Sequence, residues 1–362
     1  MKFFEKLKNF FHQYEAQLSL VALVTGFIFD YLTLRRVDFL MDNLFIILYL
    51  IFAGVSIIII NFYEDGRIKG NFIESIYEFL PFLLQFSFGG LFSAFVIFYS
   101  KSAFIFTSGA FVLILFGLLI GNEFFKTRYS KLVFQVGIYF VSLFSFSIYF
   151  LPVLVRQMGT MIFFLSGGIS LILISIFIFV IYYLAPNRYK ETDRFLILTV
   201  LGLYTLINIF YFSNIIPPTP LSLQAGDVYH FIEKQNNGNY LVVGEINSWR
   251  EKFDLSQKVQ LTRGEPVYIF SSIFAPTDID LAIIHDWQHF DEDKGDWVSV
   301  NKIIFPIKGG RNEGYRGFSK KENIFPGKWR VDIKTKKGQV VGRVRFDVEV
   351  VDTVPFLETK IL

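Results

Sequence analysis

The chain has 362 residues, of which 53% are hydrophobic, 46 are phenylalanine and none is cysteine, and its formal net charge is +3. So apolar a composition exceeds that of a soluble protein of this length and suits one partly dissolved in lipid. The missing cysteine excludes disulfides, thiolate metal sites and thiol catalysis. From Pro217 onward, 20 basic side chains balance 20 acidic ones, which excludes the broad basic field of nonspecific nucleic-acid binding; no nucleic-acid partner is expected.

In chain order, seven apolar runs are expected to cross a bilayer, near residues 16–34, 43–63, 79–99, 102–121, 132–152, 160–184 and 195–213. No ionisable residue lies between Asp42 and Glu64, between Glu78 and Lys101, or between Lys131 and Arg156. A charge at the bilayer centre costs roughly 2.5 to 3.5 kcal/mol even on the lenient insertion scale, so these gaps mark spans. The first run holds Asp30 about one turn from its end, either as a boundary carboxylate that reaches the interface or as a functional intramembrane acid. No small-residue cleavage site follows it and Arg35 and Arg36 do, so it does not read as a cleavable signal peptide.

The short connections set the orientation. Eleven basic residues (Lys2, Lys6, Lys8, Arg67, Lys69, Lys126, Arg128, Lys131, Arg188, Lys190 and Arg194) fall on the side of the N-terminus, against Arg35, Arg36, Lys101 and Arg156 on the other. The bias puts the N-terminus in the cytoplasm. Seven crossings then deliver the rest of the chain to the outside, which is the periplasm when the bilayer is a bacterial inner membrane. Gly89-Gly90 and Gly167-Gly168 sit in similar serine-flanked text, readable as close helix packing or as the trace of an inverted repeat.

The expected fold is a seven-span membrane α-helical bundle (1–213), a proline-containing linker (214–226) and an all-β, immunoglobulin-like sandwich (227–362). Strands are expected at Val228–Glu233, Tyr240–Ile246, Val267–Phe274, Leu281–Phe290, Trp297–Phe305, Trp329–Thr335 and Val340–Val350. The last two form the clearest pair. Trp329, Val331 and Ile333 alternate with Arg330, Asp332 and Lys334; after Lys336-Lys337-Gly338, Val344, Phe346 and Val348 alternate with Arg343, Arg345 and Asp347. Such alternation reads as an antiparallel hairpin with one face in the core and the other in water.

Two stretches hold candidate ligand-binding residues. His285, Trp287 and His289 share one strand face, as core or as a stacking surface for a sugar or peptide. Same-face neighbours are roughly 6.6 Å apart along a strand, so the two histidines stand about 13 Å apart and do not share one metal. The stretch from Lys308 to Lys321 has four glycines and the candidates Arg311, Tyr315, Arg316 and Lys320, suited to a carboxylate or phosphate or to a tight crossover. Asp291–Asp296 has acids at alternate positions without the spacing of a calcium loop. No metal, no cofactor and no catalytic residues are assigned, because no acid, base or nucleophile is set by a paired spacing.

Several runs resemble a bacterial family of multi-spanning membrane proteins that end in a small β domain of unknown function. They are Asn122-Glu123-Phe124-Phe125 with Arg128-Tyr129-Ser130, Phe150–Leu154, Asn214–Pro218, the glycine-arginine stretch, Pro326–Val331 and Thr335–Gly342. The resemblance implies architecture and no activity. The expected function is a membrane-anchored extracytoplasmic binding, interaction or sensor module of the bacterial envelope. Its expected partners are the lipid bilayer and an envelope glycan or membrane protein. The alternative is a small-solute transporter or channel with an accessory β domain, resting on Asp30 and amides such as Gln85, Gln135 and Asn208.

Overall fold

The computed structural model describes residues 25–34, 39–67, 70–102, 105–124, 131–245, 257–275, 280–308, 314–353 and 356–362. It divides into two compact units. The first is helical: α1 (residues 25–33), α2 (Leu40–Glu64), α3 (Asn71–Ser102), α4 (Ile105–Phe124), α5 (Leu132–Val155), α6 (Thr160–Leu184), the short α7 (Pro186–Lys190) and α8 (Asp193–Phe212).

Five of these helices are long and apolar enough to cross a membrane among the described residues: Leu40–Glu64, Phe79–Ser102 within α3, Leu132–Val155, Thr160–Leu184 and Asp193–Phe212. Two of the seven expected spans are not among these five. The span expected at 102–121 corresponds to α4, of which Gly109–Asn122 is the apolar stretch among the described residues, and the one expected at 16–34 lies mostly outside them. The helices carry their apolar residues outward as well as inward, as lipid solvent allows. Met161 is 83% exposed and Tyr183 73%, while α5 is mostly buried by its neighbours.

Close approach of helices explains one glycine of each pair. A Cβ at Gly90 would stand 2.7 Å from the Tyr49 ring, and one at Gly167 would stand 2.9 Å from Tyr204 and 3.1 Å from Phe144. Gly90 and Gly167 are seats for aromatic rings, which favours the packing reading. The buried amides are similarly occupied. Asn61 donates to Gln135 Oε1 (2.6 Å) and to the Ile57 carbonyl (2.8 Å), Asn122 to the Gln85 carbonyl (2.9 Å) and Asn208 to the Tyr204 carbonyl (2.8 Å).

The second unit comprises Lys101–Gly109, Val155–Gly159 and Asn214–Leu362. Residues Ile216–Leu221 are buried and β1 opens at Ser222, so the segment expected as a linker packs into this unit. Eleven strands follow among the described residues: β1 (Ser222–Tyr229), β2 (Phe231–Lys234), β3 (Tyr240–Glu245), β4 (Gln257–Leu261), β5 (Val267–Phe274), β6 (Asp280–Asp291), β7 (Asp296–Lys308), β8 (Tyr315–Lys321), β9 (Gly327–Thr335), β10 (Val340–Val350) and β11 (Leu357–Ile361).

These strands do not make the expected two-sheet immunoglobulin-like sandwich. They form three sheets, ordered β1-β5-β8, β4-β10-β9-β6-β7 and β11-β3-β2, none of them closed on itself. The reason lies in β5, whose eight residues are all buried. Val267, Ile269 and Ile273 enter the main core with Ile283, Trp287, Trp329, Val331, Ile333, Val344 and Phe346. Tyr268 and Phe270 point the other way, into a smaller core with Ile232, Tyr240 and Val242. A strand apolar on both faces needs a layer on each side. Parallel pairing of β4 with β10 is a second departure, because adjacent strands of a meander run antiparallel.

The glycine-arginine stretch, expected as a loop, is strand from Tyr315 onward. Gly314 has a φ of +80°, and a Cβ at Gly317 would stand 2.8 Å from the Phe305 ring; glycine at these positions lets β8 turn in and run close to β7.

Candidate functional site

The residues singled out in the sequence do not converge. His285 and Trp287 are fully buried between sheets, where the ring nitrogens of His285 meet Ser271 Oγ (2.9 Å) and Ser319 Oγ (2.8 Å) and the Trp287 N–H donates to Ser319 Oγ (3.0 Å). Burial pushes the His285 pKa down to about 3, so the ring is a neutral polar strut in the core. These two side chains are therefore core and not a displayed stacking surface. His289 packs between Phe325 and Trp329, with ring centroids 4.4 and 5.0 Å away.

Tyr315 packs against the main core. The Arg316 carbonyl accepts from the Tyr240 hydroxyl at 3.0 Å, and Lys320 is exposed and paired with Glu322 at 2.7 Å. Arg311 lies outside the described residues. Asp30, in α1, is half-buried near Ser93 and Tyr49. Among the described residues no group of three or more histidines and carboxylates could hold a metal.

A different set does converge, on the face of the five-stranded sheet opposite the core. Alternation on β9 and β10 sends Trp329, Val331, Ile333, Val344, Phe346 and Val348 inward, so the intervening residues must share the other face. Those are Lys328, Arg330, Lys334, Arg343 and Arg345, five cations, with the carboxylates Asp332, Asp347 and Glu349. Strand β6 adds Asp286 and Gln288, β7 adds Trp297, Ser299 and Lys302, and β4 adds Lys258.

The acids are held by specific partners. Asp286 accepts from Lys334 Nζ, from the Gln288 amide (both 2.6 Å) and from the Ser299 hydroxyl. Asp332 takes the Arg343 fork, Nη2 to Oδ2 at 2.9 Å with a shorter Nε contact, and lies 3.3 Å from Lys334 Nζ. Lys258 pairs with Glu349 at 2.9 Å, and Lys328 stands across from Asp347 in the β9–β10 register. Partial burial raises the Asp286 pKa, but Lys334 and the hydrogen bonds from Ser299 and Gln288 outweigh it and hold the carboxyl below its ordinary value.

At the centre of this face Arg330 and Arg345 are direct cross-strand partners. Arg330 donates Nε–H to Gln288 Oε1 (2.7 Å) and lays its guanidinium 4.5 Å over the Trp297 ring. Burial first, then the charges of Arg343 and Arg345, push the Arg330 guanidinium down from its ordinary value, against the pull of Asp332 and Asp296. Like charges directly opposite in a sheet destabilise it by themselves. Chemically the arrangement suits recognition of an anion by preoriented forks.

Sequence reading had these residues only as the water-facing half of a hairpin. The signal that reveals the site is the register: the Lys336-Lys337-Gly338 turn and the register shift between Val340 and Gly342 together set Arg343 opposite Asp332 and Arg345 opposite Arg330.

Residues 280–348 match the model of a family described as a protein of unknown function, DUF2914. The segment runs from the start of β6 into β10 and contains the whole Asp286, Arg330, Asp332, Arg343 and Arg345 constellation. No curated protein matches the chain. A solved structure, the Pseudomonas fluorescens alkylpurine DNA glycosylase AlkC bound to DNA containing an abasic site analog, aligns at 9% identity over 87% of this chain and 99% of that one. Its TM-score is 0.24, and it carries no argument about fold or function. What stands is a multi-spanning membrane protein with a distinct C-terminal β domain.

Proposed function

We propose that the protein is a membrane-anchored binding module of the bacterial envelope, presenting its β domain outside the cytoplasm with the cationic face of the five-stranded sheet as the binding surface. The observation that carries this reading is the polarised charge. A domain with 20 basic and 20 acidic residues gathers seven of the cations (Lys258, Lys302, Lys328, Arg330, Lys334, Arg343, Arg345) against four acids (Asp286, Asp332, Asp347, Glu349) on one face. Binding to an anionic partner offsets the repulsion that folding tolerates there.

The orientation rests on the charge bias of the connections, and two features support it. Asp65, just after α2, accepts from the backbone N–H groups of Asn187 (2.9 Å) and Arg188 (3.0 Å), and Glu64 pairs with Arg188 at 2.6 Å, so these two connections belong to one end of the bundle. The segments 101–109 and 155–159 group instead with the β strands, and Met158 packs against their core. The buried amides, tied to each other and to backbone carbonyls, support a packing role for the bundle over transport.

Binding of the purified full chain to peptidoglycan fragments, envelope polysaccharides and anionic lipids tests the reading, with an Arg330→Gln/Arg345→Gln double variant for comparison. Retention that falls in the variant is the expected result. A panel without retention, or retention indifferent to both arginines, refutes the binding face.

A further inference from the structure

We infer that β11 is a pairing edge for a second copy of this chain, which docks strand against antiparallel strand about a twofold axis at Thr359. The inference concerns the β11-β3-β2 sheet and does not rest on the binding face proposed above. β11 stands at the end of that strand order, so one of its sides has no strand beside it among the described residues. Glu358, Thr359, Lys360 and Ile361 are exposed, Ile361 to 63%. Leu362 and Tyr240 exchange both backbone hydrogen bonds, at 2.9 and 3.0 Å, and the register from Leu357 opposite Glu245 to Ile361 opposite Leu241 runs without a shift. Bonding alternates along an antiparallel ladder, so Glu358 and Lys360 also bond towards β3. Leu357, Thr359 and Ile361 therefore turn their N–H and C=O groups to the open side.

An open edge is a template for another strand, and proteins usually blunt it with proline, a bulge or unmatched charge. β11 has neither proline nor bulge, and its two charges, Glu358 and Lys360, are opposite in sign and 2.9 Å apart. They match a copy of themselves. With Thr359 opposite Thr359 of the second copy, Glu358 faces the copy's Lys360 on either side of the axis and Leu357 faces its Ile361. Opposed residues share a sheet face, so a slip by one residue is excluded. A slip by two sets Glu358 against Glu358 or Lys360 against Lys360, and like charges directly opposite destabilise a sheet. One register thus combines unlike charges, apolar pairs and satisfied backbone, in a contact that closes on itself. Five residues a side bury less than the roughly 1,200 to 2,000 Å² of a stable interface, so the pairing is weak and needs chains concentrated in one bilayer.

The test uses the full chain reconstituted in phosphatidylcholine vesicles; the chain has no cysteine, so a single introduced one reports alone. Opposed bonded residues stand about 5.5 Å apart at Cα, within the roughly 4.4 to 6.8 Å that a disulfide spans, and residues two positions out of register stand beyond it. Under mild oxidation Thr359→Cys is expected to give a linked dimer, and Glu358→Cys or Lys360→Cys alone several-fold less. Equal yields at all three positions mean random collision and overturn the register. In the Thr359→Cys background, Glu358→Lys and Lys360→Glu are each expected to weaken dimer formation roughly tenfold, because both cross-strand pairs become repulsive. The combined Glu358→Lys/Lys360→Glu exchange is expected to restore it. A yield indifferent to the reversals, or not rescued by the exchange, refutes the charge-set pairing. Should Thr359→Cys fail to fold, Glu358→Cys and Lys360→Cys copies mixed in one vesicle are expected to link to each other. Absence of both kinds of link overturns the second copy as occupant and leaves the edge to a strand of another protein.

Discussion

Arg343 lays its guanidinium fork on Asp332 across β10 and β9, with the two side chains only 8% and 3% exposed. The pair is nearly desolvated, and Asp332 also carries Lys334 at 3.3 Å and Arg330 at 4.0 Å. Removing the carboxylate takes one anion from three cations, Arg343 most of all since Lys334 keeps Asp286, whereas removing Arg343 leaves Asp332 with two cations. Asp332→Ala is therefore expected to cost about 3 to 5 kcal/mol and Arg343→Gln about 1 to 3 kcal/mol. All four tryptophans lie beyond residue 213, so urea melts of the full chain followed by tryptophan emission read the β domain alone. Equal losses in the two variants would contradict the shared-carboxylate account.

Trp329 is fully buried in the main core, and its indole donates to the Phe325 carbonyl at 2.9 Å. Trp329→Ala is expected to destabilise the domain by about 3 to 5 kcal/mol, and Trp329→Phe, which keeps most of the volume and strands the carbonyl, by about 1 to 3 kcal/mol. An alanine variant with the parental urea midpoint would remove Trp329 from the core.

Two buried histidines give pH dependences of opposite sign. His230 lies between Glu265 (Nδ1 to Oε1, 2.9 Å) and Glu245 (Nε2 to Oε1, 3.2 Å). Burial opposes its charging, but the hydrogen bonds to Glu245 and Glu265 and their charges outweigh burial and raise its pKa above 6.5. Its contribution is complete below the unfolded value near 6.5 and is lost as pH rises through the folded value. For Glu265, partial burial is outweighed by His230 and Thr262, so its pKa is lowered. Its contribution is present above the ordinary glutamate value and lost as pH falls through the folded one.

His285, held down to about 3, has the reverse effect to His230, since the unfolded chain takes up a proton that the fold refuses. At pH 5.5 that difference costs about 1.3 kcal/mol relative to neutral pH. Stability profiles of His230→Gln and His285→Gln across pH 5 to 8 should therefore diverge from the parent in opposite directions. Parallel profiles would refute one of the two environments.

The orientation is open to direct measurement. With all seven expected runs crossing, reporter fusions after residues 65, 126 and 190 are expected in the cytoplasm, and fusions after 101, 157 and 362 outside. A C-terminal reporter in the cytoplasm together with an N-terminus inside would change the parity. The run with Asp30 in it is the first to be given up.

What could be read from the chain alone was local. Runs such as Leu132–Val155 declare a span because length and the absence of charge are properties of one segment in one solvent. The β9–β10 hairpin was legible because a two-residue period and a Lys-Lys-Gly turn lie within some twenty neighbouring residues. Tertiary structure decided whatever depended on a partner distant in sequence. The buried run of β5 has no period of its own, and only β1 and β8 beside it with cores on its two faces made it the inner layer. His285 became a neutral strut because Ser271 and Ser319 arrive from other strands. Asp286 and Asp332 became anchors of a cationic face when β6 paired with β9, setting Asp286 beside Asp332 and Gln288 beside Arg330. Alternation tells which side chains share a face; only pairing tells which charges meet across it, because the energy of a charge depends on its neighbours in space.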